Sequence, residues 1–321
     1  MIDKHVRSPA DFILDPVENG LDFMSSVVAR LEGSPTATDL KYGILHLCAA
    51  IEVLFKARLL LEDWELVFAS PENATEEALR SGAFKSVGID EAIKRLAVLK
   101  IRIPEDARRA IRLAFDKRNA IAHFGLRDST EAVRAVAVES LNFLISFLHQ
   151  EMREWEPDQT GEALEDIRER VQKIAGFVEI RMKQLSPGLD RLSVVLMCPD
   201  CSQMALQPGD VCTCHFCFRE GAPEEVAEDY VGTVFGETRY EAGKGRVSWS
   251  LHTCPDCSQE TLVGGVENRN SQSTYWCCFA EGWGIAYNGI TECERCGELA
   301  NAGVDDLILC ENCMEYLIAE D

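Results

Sequence analysis

Cysteine is the residue type that most clearly carries chemistry in this sequence. All but one of the 14 cysteines follow residue 190, and most of them come in pairs with the spacing Cys-x-x-Cys. Zinc binds four ligands at the corners of a tetrahedron, and one such pair supplies two ligands from a single tight turn. The chain carries no sign of secretion, so the pairs indicate metal ligation in a reducing compartment rather than disulfide bonds.

Two complete sets of four cysteines have the spacing of zinc ribbons, small modules in which two Cys-x-x-Cys pairs on a hairpin share one ion. Twelve residues separate the two pairs in the first set and thirteen in the last. The first set is Cys198, Cys201, Cys214 and Cys217, and the last is Cys293, Cys296, Cys310 and Cys313. We expect each set to hold a structural zinc ion. Cys212, close to the first set, is expected to be a packed free thiol.

A middle set is incomplete. The hexapeptide C-P-D-C-S-Q at 198–203 recurs at 254–259, which indicates a duplicated ribbon, but the rest of the copy has the adjacent cysteines Cys277 and Cys278 instead of a spaced pair. Aligning the F-x-E-G segment of each copy places Cys278 on Cys217. The expected ligands are Cys254, Cys257 and Cys278, with the fourth place open to Cys277, Glu281 or His252, and a degenerate ribbon without metal is the alternative. We expect two to three zinc ions per chain, all structural, because no set combines an open coordination position with a general base.

A second group of residues that could do chemistry lies on one amphipathic segment, 107–125. Its apolar stripe consists of Ala107, Ile111, Ala114, Phe115 and Ala122. Arg118 interrupts this stripe and must be paired or face a groove, because an unpaired buried charge is strongly disfavoured. His123 lies about 140° further around an ideal helix, so one straight helix cannot direct both side chains at one atom. Their convergence needs either a frayed helix end at 124–125 or a second copy of the helix.

The hexapeptide R-N-A-I-A-H at 118–123 resembles the R-x4-H signature of HEPN domains, including the polar residue that commonly follows the arginine. The segment A-A-I-E-V-L-F-K-A-R-L-L at 49–60 is similar to the second helix of bacterial HEPN proteins, and the resemblance covers roughly residues 15–155. It implies a helical bundle that dimerises, with two motif helices building one cleft. The helix geometry above predicts that the two helices meet along the stripe that contains Ile111, Phe115, Arg118 and Ala122. It also implies a metal-independent endoribonuclease, often part of a toxin–antitoxin or anti-phage system.

The resemblance further implies roles for the motif residues. An RNA 2′-hydroxyl can attack the adjacent phosphate to leave a cyclic phosphate and a 5′-hydroxyl, and His123 would move the protons. Arg118 would hold the phosphate and stabilise its developing charge, while Asn119 would orient the phosphate or the histidine. Glu52 is expected to be a solvated or core-edge residue rather than part of the cleft. The alternative is structural, with Arg118 bonding helix-end carbonyls and His123 capping the helix.

Apolar periodicity predicts helices almost throughout the first half of the chain and short strands after it. The expected helices cover 16–31, 38–68, 75–80, 90–99, 133–148 and 161–185, with another that begins at Pro104 and a capping box at Asp128 and Glu131. Strands are expected at 230–235 and 247–251. The expected fold class is mainly α, a HEPN-like helical bundle followed by a β-rich module of two or three zinc ribbons. The expected domains are 1–187, 188–235, 236–290 and 291–321.

Charge is unevenly distributed along the chain. From Arg191 onward there are 7 Lys and Arg against 22 Asp and Glu, a net charge of −15, whereas the preceding part has a net charge of −7. Non-specific affinity for nucleic acid comes mainly from phosphate neutralisation, so the ribbons are expected to bind a regulatory protein instead. RNA is expected at the N-terminal domain, with contacts from Arg108, Arg109, Arg112 and Lys117.

No stretch of 18 apolar residues occurs, and the first residues lack the charged-then-apolar pattern of a signal peptide. We therefore expect a cytoplasmic protein that does not cross a membrane. The expected function is that of a homodimeric HEPN-type endoribonuclease. The alternative is a non-catalytic dimeric scaffold whose acidic ribbons bind a protein partner.

Overall fold

A computed structural model describes residues 15–152, 157–245, 249–271, 274–286, 289–301, 309–310 and 313–316. The chain divides into two compact units, Met1–Ile180 and Arg181–Asp321. The first is helical, and the second contains small antiparallel sheets and groups of cysteines. The coarse prediction of N-terminal helices followed by short strands is confirmed.

The N-terminal unit is built from helices of very different lengths. They are α1 (Pro16–Leu31), α2 (Ala37–Glu62), α3 (Glu76–Ser81), α4 (Ile89–Val98), α5 (Glu105–His123), α6 (Thr130–Glu151), α7 (Pro157–Val171) and α8 (Phe177–Leu189). Two short 3-10 turns, Trp64–Val67 and Pro71–Asn73, follow α2. The division between the units falls within α8, after Ile180.

The central helix of the N-terminal unit is α2. It begins at a capping box, in which the Thr36 hydroxyl accepts from the Asp39 N–H and the Asp39 carboxylate accepts from the Thr36 N–H. Buried side chains occur along it from Leu40 to Leu59, because α1, α4, α5 and α6 all pack against it. A helix covered on several sides needs no narrow apolar stripe, so this segment is apolar almost all round.

The end of α2 differs from the sequence prediction. The helix stops at Glu62, not at Phe68, because the chain turns at Asp63. The Asp63 carboxylate accepts a hydrogen bond from the Glu65 N–H and starts a 3-10 turn. Val67 and Phe68 remain buried after the turn, so their apolar character continued the helical pattern in the sequence without continuing the helix.

Two other predicted boundaries are corrected. The single helix expected at 161–185 is two helices, α7 and α8, separated by a turn that contains Gly176 with φ 83°. Only glycine adopts such a φ without strain, so the turn interrupts the helix there. The cap of α6 is Ser129, whose hydroxyl accepts from the Ala132 N–H, and not Asp128.

In the described part of the chain, α6 is the one helix long and apolar enough to cross a membrane. Of its most apolar window, 56% is buried inside the protein, and α2 and α5 pack against it. The core helix of a soluble protein passes the same test of length and composition. Packing in the bundle therefore accounts for the apolar character of α6.

The C-terminal unit contains three antiparallel sheets among its described residues. The first joins β1 (Leu196–Met197), β2 (Met204–Gln207), β3 (Cys212–Cys214) and β4 (Glu220–Gly221). The second joins β5 (Leu251–His252), β6 (Leu262–Glu267), β7 (Thr274–Cys278) and β8 (Trp283–Ala286), and the third joins β9 (Ile290–Glu292) and β10 (Leu299–Asn301). Each is a meander of consecutive strands. Of the strand expected at 247–251, residues 247 and 248 lie outside the described residues and Leu251 begins β5.

The strand expected at 230–235 is wrong. A helix, α9 (Pro223–Tyr230), continues into a π-helical turn at Val231–Phe235, and a short helix, α10 (Arg239–Gly243), follows. Proline at the first helical position and two glutamates in the first turn favour a helix. Val226 and Tyr230, both buried, are four residues apart, as on one helix face.

The first and second sheets contact each other within the C-terminal unit. The Gly209 N–H donates to the Phe279 carbonyl at 2.9 Å, and β1 lies beside β6. Gly282 has φ 66°, and a Cβ added there would lie 2.8 Å from the Pro208 carbonyl oxygen. Both its conformation and its surroundings therefore require glycine.

Candidate metal centres and the Arg118–His123 site

The first cysteine group lies at the turns around the first sheet. The Sγ atoms of Cys198, Cys201, Cys214 and Cys217 lie within 4.8 Å of one another, and all four residues are buried. The Cys198–Cys217 and Cys201–Cys214 Sγ–Sγ distances are both 3.7 Å. Zinc–sulfur bonds of about 2.3 Å in a tetrahedron require sulfur–sulfur separations of about 3.8 Å. The group therefore fits a four-thiolate zinc site.

Main-chain hydrogen bonds form the two ligand turns of this group. In the first turn the Cys198 N–H donates to the Gln203 carbonyl, and the Ser202 N–H donates to the Cys198 carbonyl, both at 2.9 Å. In the second turn the Phe218 N–H donates to the Cys214 carbonyl at 2.8 Å. Ser202 and Phe218 have positive φ angles, 55° and 63°. Each turn is therefore closed by a left-handed residue directly after its second cysteine.

A buried arginine lies beside the first group. Arg181 is 2% exposed, and its Nε donates to the Phe216 carbonyl at 2.6 Å while one Nη donates to the His215 carbonyl at 3.1 Å. Burial lowers the pKa of Arg181 to about 10, although the nearby cysteines act in the opposite direction. With a metal bound, a cation here would offset part of the negative charge of the four thiolates. The sequence analysis does not identify Arg181. The feature that could have indicated a buried arginine is its position between the apolar residues of α8.

The last cysteine group is more exposed. The Sγ atoms of its four cysteines again lie within 4.8 Å of one another, and Cys296 and Cys310 are 3.5 Å apart. In its first turn the Cys293 N–H donates to the Glu298 carbonyl, and Gly297, with φ 78°, donates to the Cys293 carbonyl. The same turn geometry therefore presents a second set of four thiols positioned for a metal such as zinc.

The middle group consists of three cysteines. The Sγ atoms of Cys254, Cys257 and Cys278 lie within 4.8 Å of one another, and the Cys257–Cys278 distance is 3.7 Å. The buried Thr261 hydroxyl lies 3.3 Å from the Cys278 Sγ and 3.6 Å from the Cys257 Sγ. Hydrogen bonds from Cys254 and Thr261 lower the pKa of Cys278, although burial opposes them. These three thiols are positioned for metal binding, and their spacing is consistent with zinc.

The alignment expected for the duplicated segment is wrong by three residues. Cys278 occupies the place of Cys214, not that of Cys217, because both follow equivalent strands and start equivalent turns. The Gly282 N–H donates to the Cys278 carbonyl as the Phe218 N–H donates to the Cys214 carbonyl, and both donors have positive φ. Twenty residues separate Cys278 from the first pair of its group, against twelve for Cys214, so the hairpin between them is longer.

Cys277, expected among the metal ligands, does not belong to the middle group. Successive side chains of a strand point to opposite faces, and Cys278 takes the face that carries the group. Cys277 is buried on the other face, where burial raises its pKa. Cys212 is also buried outside the groups, with its Sγ 3.5 Å from the Phe279 carbonyl oxygen, and burial raises its pKa to about 11.

Arg118, on α5, lies beside α2. Its side chain is 34% exposed, one Nη is 3.8 Å from the Glu52 carboxylate, and its guanidinium lies over the Phe115 ring at 5.0 Å. The Lys56 ammonium donates to the same carboxylate at 2.7 Å. The buried Cys48 thiol lies beside Arg118, and burial raises its pKa to about 12. Glu52 therefore contacts Arg118 from a partly exposed position at the edge of the core, whereas the sequence predicts a solvated or core-edge glutamate outside the cleft.

The end of α5 presents the other motif residues to solvent. Asn119, His123 and the helix-capping residue Phe124 are all exposed, Phe124 completely. The helix is regular to its end, where the Phe124 N–H donates to the Ala120 carbonyl at 3.0 Å. No hydrogen bond or ion pair joins Arg118 to His123 within the described residues. The structure thus brings Arg118 to Glu52 but does not bring the two motif side chains together through a frayed helix end.

The apolar stripe of α5 is used within its own bundle. Ile111 is 1% exposed and Phe115 is 7% exposed, because α5 packs against α2 and α6. The expectation that these two residues meet a second copy is therefore wrong, although Ala122 is exposed. Among the expected RNA contacts, Arg109 and Arg112 are exposed, Arg108 pairs with Glu105, and Lys117 pairs with Asp128.

The helical unit and the three cysteine groups are the features on which a likeness to other proteins would rest. No protein-family model, curated protein or solved structure matches this chain.

Proposed function

We propose that the protein is a metal-independent endoribonuclease of HEPN type, in which Arg118 and His123 act on RNA in a cleft completed by a second copy of the chain. The observation that carries the proposal is the arrangement of α5. The helix holds Arg118 about one-third exposed beside α2, with Asn119 exposed directly after it and His123 exposed at the end of the helix, five residues further on. An arginine and a histidine in solvent contact are the groups that phosphodiester transesterification uses.

The chemistry needs a phosphate clamp and a proton carrier. The RNA 2′-oxygen forms a bond to the adjacent phosphorus while the bond from phosphorus to the 5′-oxygen breaks. One His123 accepts the proton of the 2′-hydroxyl, and the His123 of the second copy donates a proton to the 5′-oxygen. Arg118 stabilises the charge on the phosphate oxygens. The products are a cyclic phosphate and a 5′-hydroxyl, and no metal takes part.

The dimer surface of this proposal is the exposed end of α5. Ile111 and Phe115 are covered within the bundle, so the contact falls instead on Ala122, His123 and Phe124. A two-fold axis midway along α5 between Arg118 and His123 brings the Arg118 of one copy beside the His123 of the other, because a two-fold interface joins the same surface on both subunits. The completely exposed Phe124 ring supplies apolar area at its centre.

The test is cleavage of RNA by the full chain in a chelator too weak to strip the cysteine groups. Arg118→Ala and His123→Ala should each abolish cleavage with the helical content unchanged, and the wild-type product should carry a cyclic phosphate. Arg102→Ala, which removes an exposed arginine before α5, is the matched control and should remain active. Full activity in His123→Ala would overturn the proposal.

The runner-up is a non-catalytic scaffold in which zinc ribbons built on the three cysteine groups bind a protein partner. The Arg118–Glu52 contact favours it, because Arg118 already has a carboxylate partner. The net charge of −15 from Arg191 onward favours a basic protein as the partner. In this case wild-type protein leaves RNA intact, and a salt-sensitive complex with a basic protein persists in Arg118→Ala.

A further inference from the structure

All three cysteine groups share the same first ligand turn. The N–H of the first cysteine donates to the carbonyl five residues later, at 2.9, 2.8 and 2.7 Å in the first, middle and last groups. The residue after the second cysteine has a positive φ in each case, 55°, 60° and 78°. Its N–H donates back to the carbonyl of the first cysteine. The three groups are therefore built on one template, and equivalent positions can be identified from hydrogen bonds.

The position of the third ligand follows from the sulfur contacts. The second cysteine of each group lies close to the third, at 3.7 Å for Cys201–Cys214, 3.7 Å for Cys257–Cys278 and 3.5 Å for Cys296–Cys310. Cys278 is thus the third ligand of the middle group, at the start of the second ligand turn. In the other two groups the fourth ligand comes three residues after the third.

We propose that Glu281 is the fourth ligand of the middle metal site, which would bind zinc through three thiolates and one carboxylate. Glu281 stands three residues after Cys278, at the place of Cys217 in the first group. Its N–H points at the group and lies 3.4 Å from the Cys278 Sγ. Gly282 then closes the turn in the left-handed conformation that Phe218 adopts in the first group. The main chain therefore gives Glu281 the fourth-ligand position of the second turn.

A carboxylate is a suitable donor at this place. Carboxylate oxygens bind zinc at about 2.0–2.2 Å, and glutamate is among the usual ligands. Glu281 is exposed, so its side chain can turn toward an ion without displacing packed neighbours. Three thiolates and a carboxylate also carry the same total charge as four thiolates. The middle site therefore keeps the electrostatics of the first group with a harder, more accessible fourth ligand.

The other two candidates do not occupy a ligand position. Cys277 is buried on the opposite face of β7. His252 lies on β5, opposite Leu262, and corresponds to Leu196 of the first sheet. Its ring packs against the Trp276 ring, with the centroids 5.3 Å apart. His252 is two residues before the first ligand of its group, and neither of the other groups has a metal ligand at that position.

The test is the zinc content of the full chain after dialysis against a series of chelator concentrations. Wild-type protein should hold three ions. Glu281→Ala should release one of them at a chelator concentration at least about tenfold lower, because loss of even an outer-shell partner costs about 10- to 100-fold in affinity. Glu281→Cys should hold three ions at least as firmly as wild type. Glu225→Ala, which removes an exposed acid from α9, is the control and should match wild type.

Cobalt substitution separates a lost ligand from a misfolded unit. Glu281→Cys should gain sulfur-to-cobalt absorption over wild type, because one further thiolate binds the ion. The two ions of the other groups report that the variants remain folded. The proposal is overturned if Glu281→Ala retains its third ion as firmly as Glu225→Ala. It is also overturned if wild-type protein holds two ions and Cys278→Ala holds the same two. Neither outcome depends on ribonuclease activity.

Discussion

Replacing the buried Arg181 tests how the C-terminal unit is stabilised. Its guanidinium makes hydrogen bonds to two main-chain carbonyls, which contribute roughly 1.5–3 kcal/mol each because the donor is charged. Replacing Arg181 also removes the cost of burying a charge. The lowered pKa of about 10 corresponds to a cost of about 3 kcal/mol. The two effects largely offset each other, so Arg181→Met should lower the free energy of unfolding by no more than about 3 kcal/mol.

The second variant isolates packing. Arg181 is 2% exposed, and its guanidinium lies over the Phe218 ring at 4.6 Å, so a short side chain leaves a cavity. Large-to-small changes in a core cost about 2–5 kcal/mol, which makes Arg181→Ala at least about 2 kcal/mol less stable than Arg181→Met. Methionine fills most of the space that arginine occupies. Since both variants lack the charge, the difference in stability between them should measure packing.

The assay is urea unfolding of the full chain at one fixed free zinc concentration, because zinc that binds the folded state adds to its apparent stability. Metal release and tryptophan fluorescence should report the same transition. Equal stability of Arg181→Ala and Arg181→Met would refute the packing argument. A loss well above about 3 kcal/mol in Arg181→Met would show that the charge is required beside the thiolates.

Three further predictions concern the metal groups and the helical unit. Stripping zinc with a strong chelator should unfold the C-terminal unit, because small metal modules lack a sufficient core of their own. The helical circular dichroism of α1 to α6 should remain largely intact. Cysteines that stay protected from a thiol-modifying reagent after the metal is removed would contradict this. Burial, together with the nearby Arg30, lowers the pKa of His46, so the unfolded state takes up this proton first and the N-terminal unit should lose stability as the pH falls below about 6.5. His46→Gln should flatten this dependence in thermal melts between about pH 7.5 and 5.5, and an unchanged slope would speak against it. Gly282→Ala should cost about 1–3 kcal/mol, because it strains a positive φ and meets the Pro208 carbonyl, and it should release the middle ion first in a zinc titration; a variant as stable as wild type would contradict the close approach.

Helix positions could be predicted where the sequence carries both a start and a stop signal. The bounds of α1 agree with the prediction because Asp15 caps the helix, Pro16 occupies its first turn and a Gly-Ser-Pro segment follows its end. At the end of α2 no such stop signal exists. Val67 and Phe68 pack into the core from a 3-10 turn, and burial alone cannot distinguish a turn that folds back from a helix that continues.

The metal groups show a similar limit. Spacing located the first and last groups, because Cys-x-x-Cys pairs are visible as residue types. In the middle group it identified Cys254, Cys257 and Cys278 but aligned Cys278 with Cys217 instead of Cys214. The second ligand turn is defined by a main-chain hydrogen bond and a positive φ, which phenylalanine adopts at 218 and glycine at 282. Arg181 was missed for a related reason: its partners are main-chain carbonyls more than 30 residues away, which leave no mark on side-chain identity.

The contact between Arg118 and Glu52 affects how phosphate binding at Arg118 would depend on salt. The two groups lie 3.8 Å apart and each is about one-third exposed, so the arginine already has a counter-ion within the protein. A phosphate that binds Arg118 must displace this carboxylate before it displaces any ion from solution. Added salt weakens the internal pair as well as the phosphate contact, and the two effects partly cancel. For the proposed complex with RNA, the slope of affinity against salt should therefore be shallower than the number of cations touching the phosphates would give, and Glu52→Gln should make it steeper.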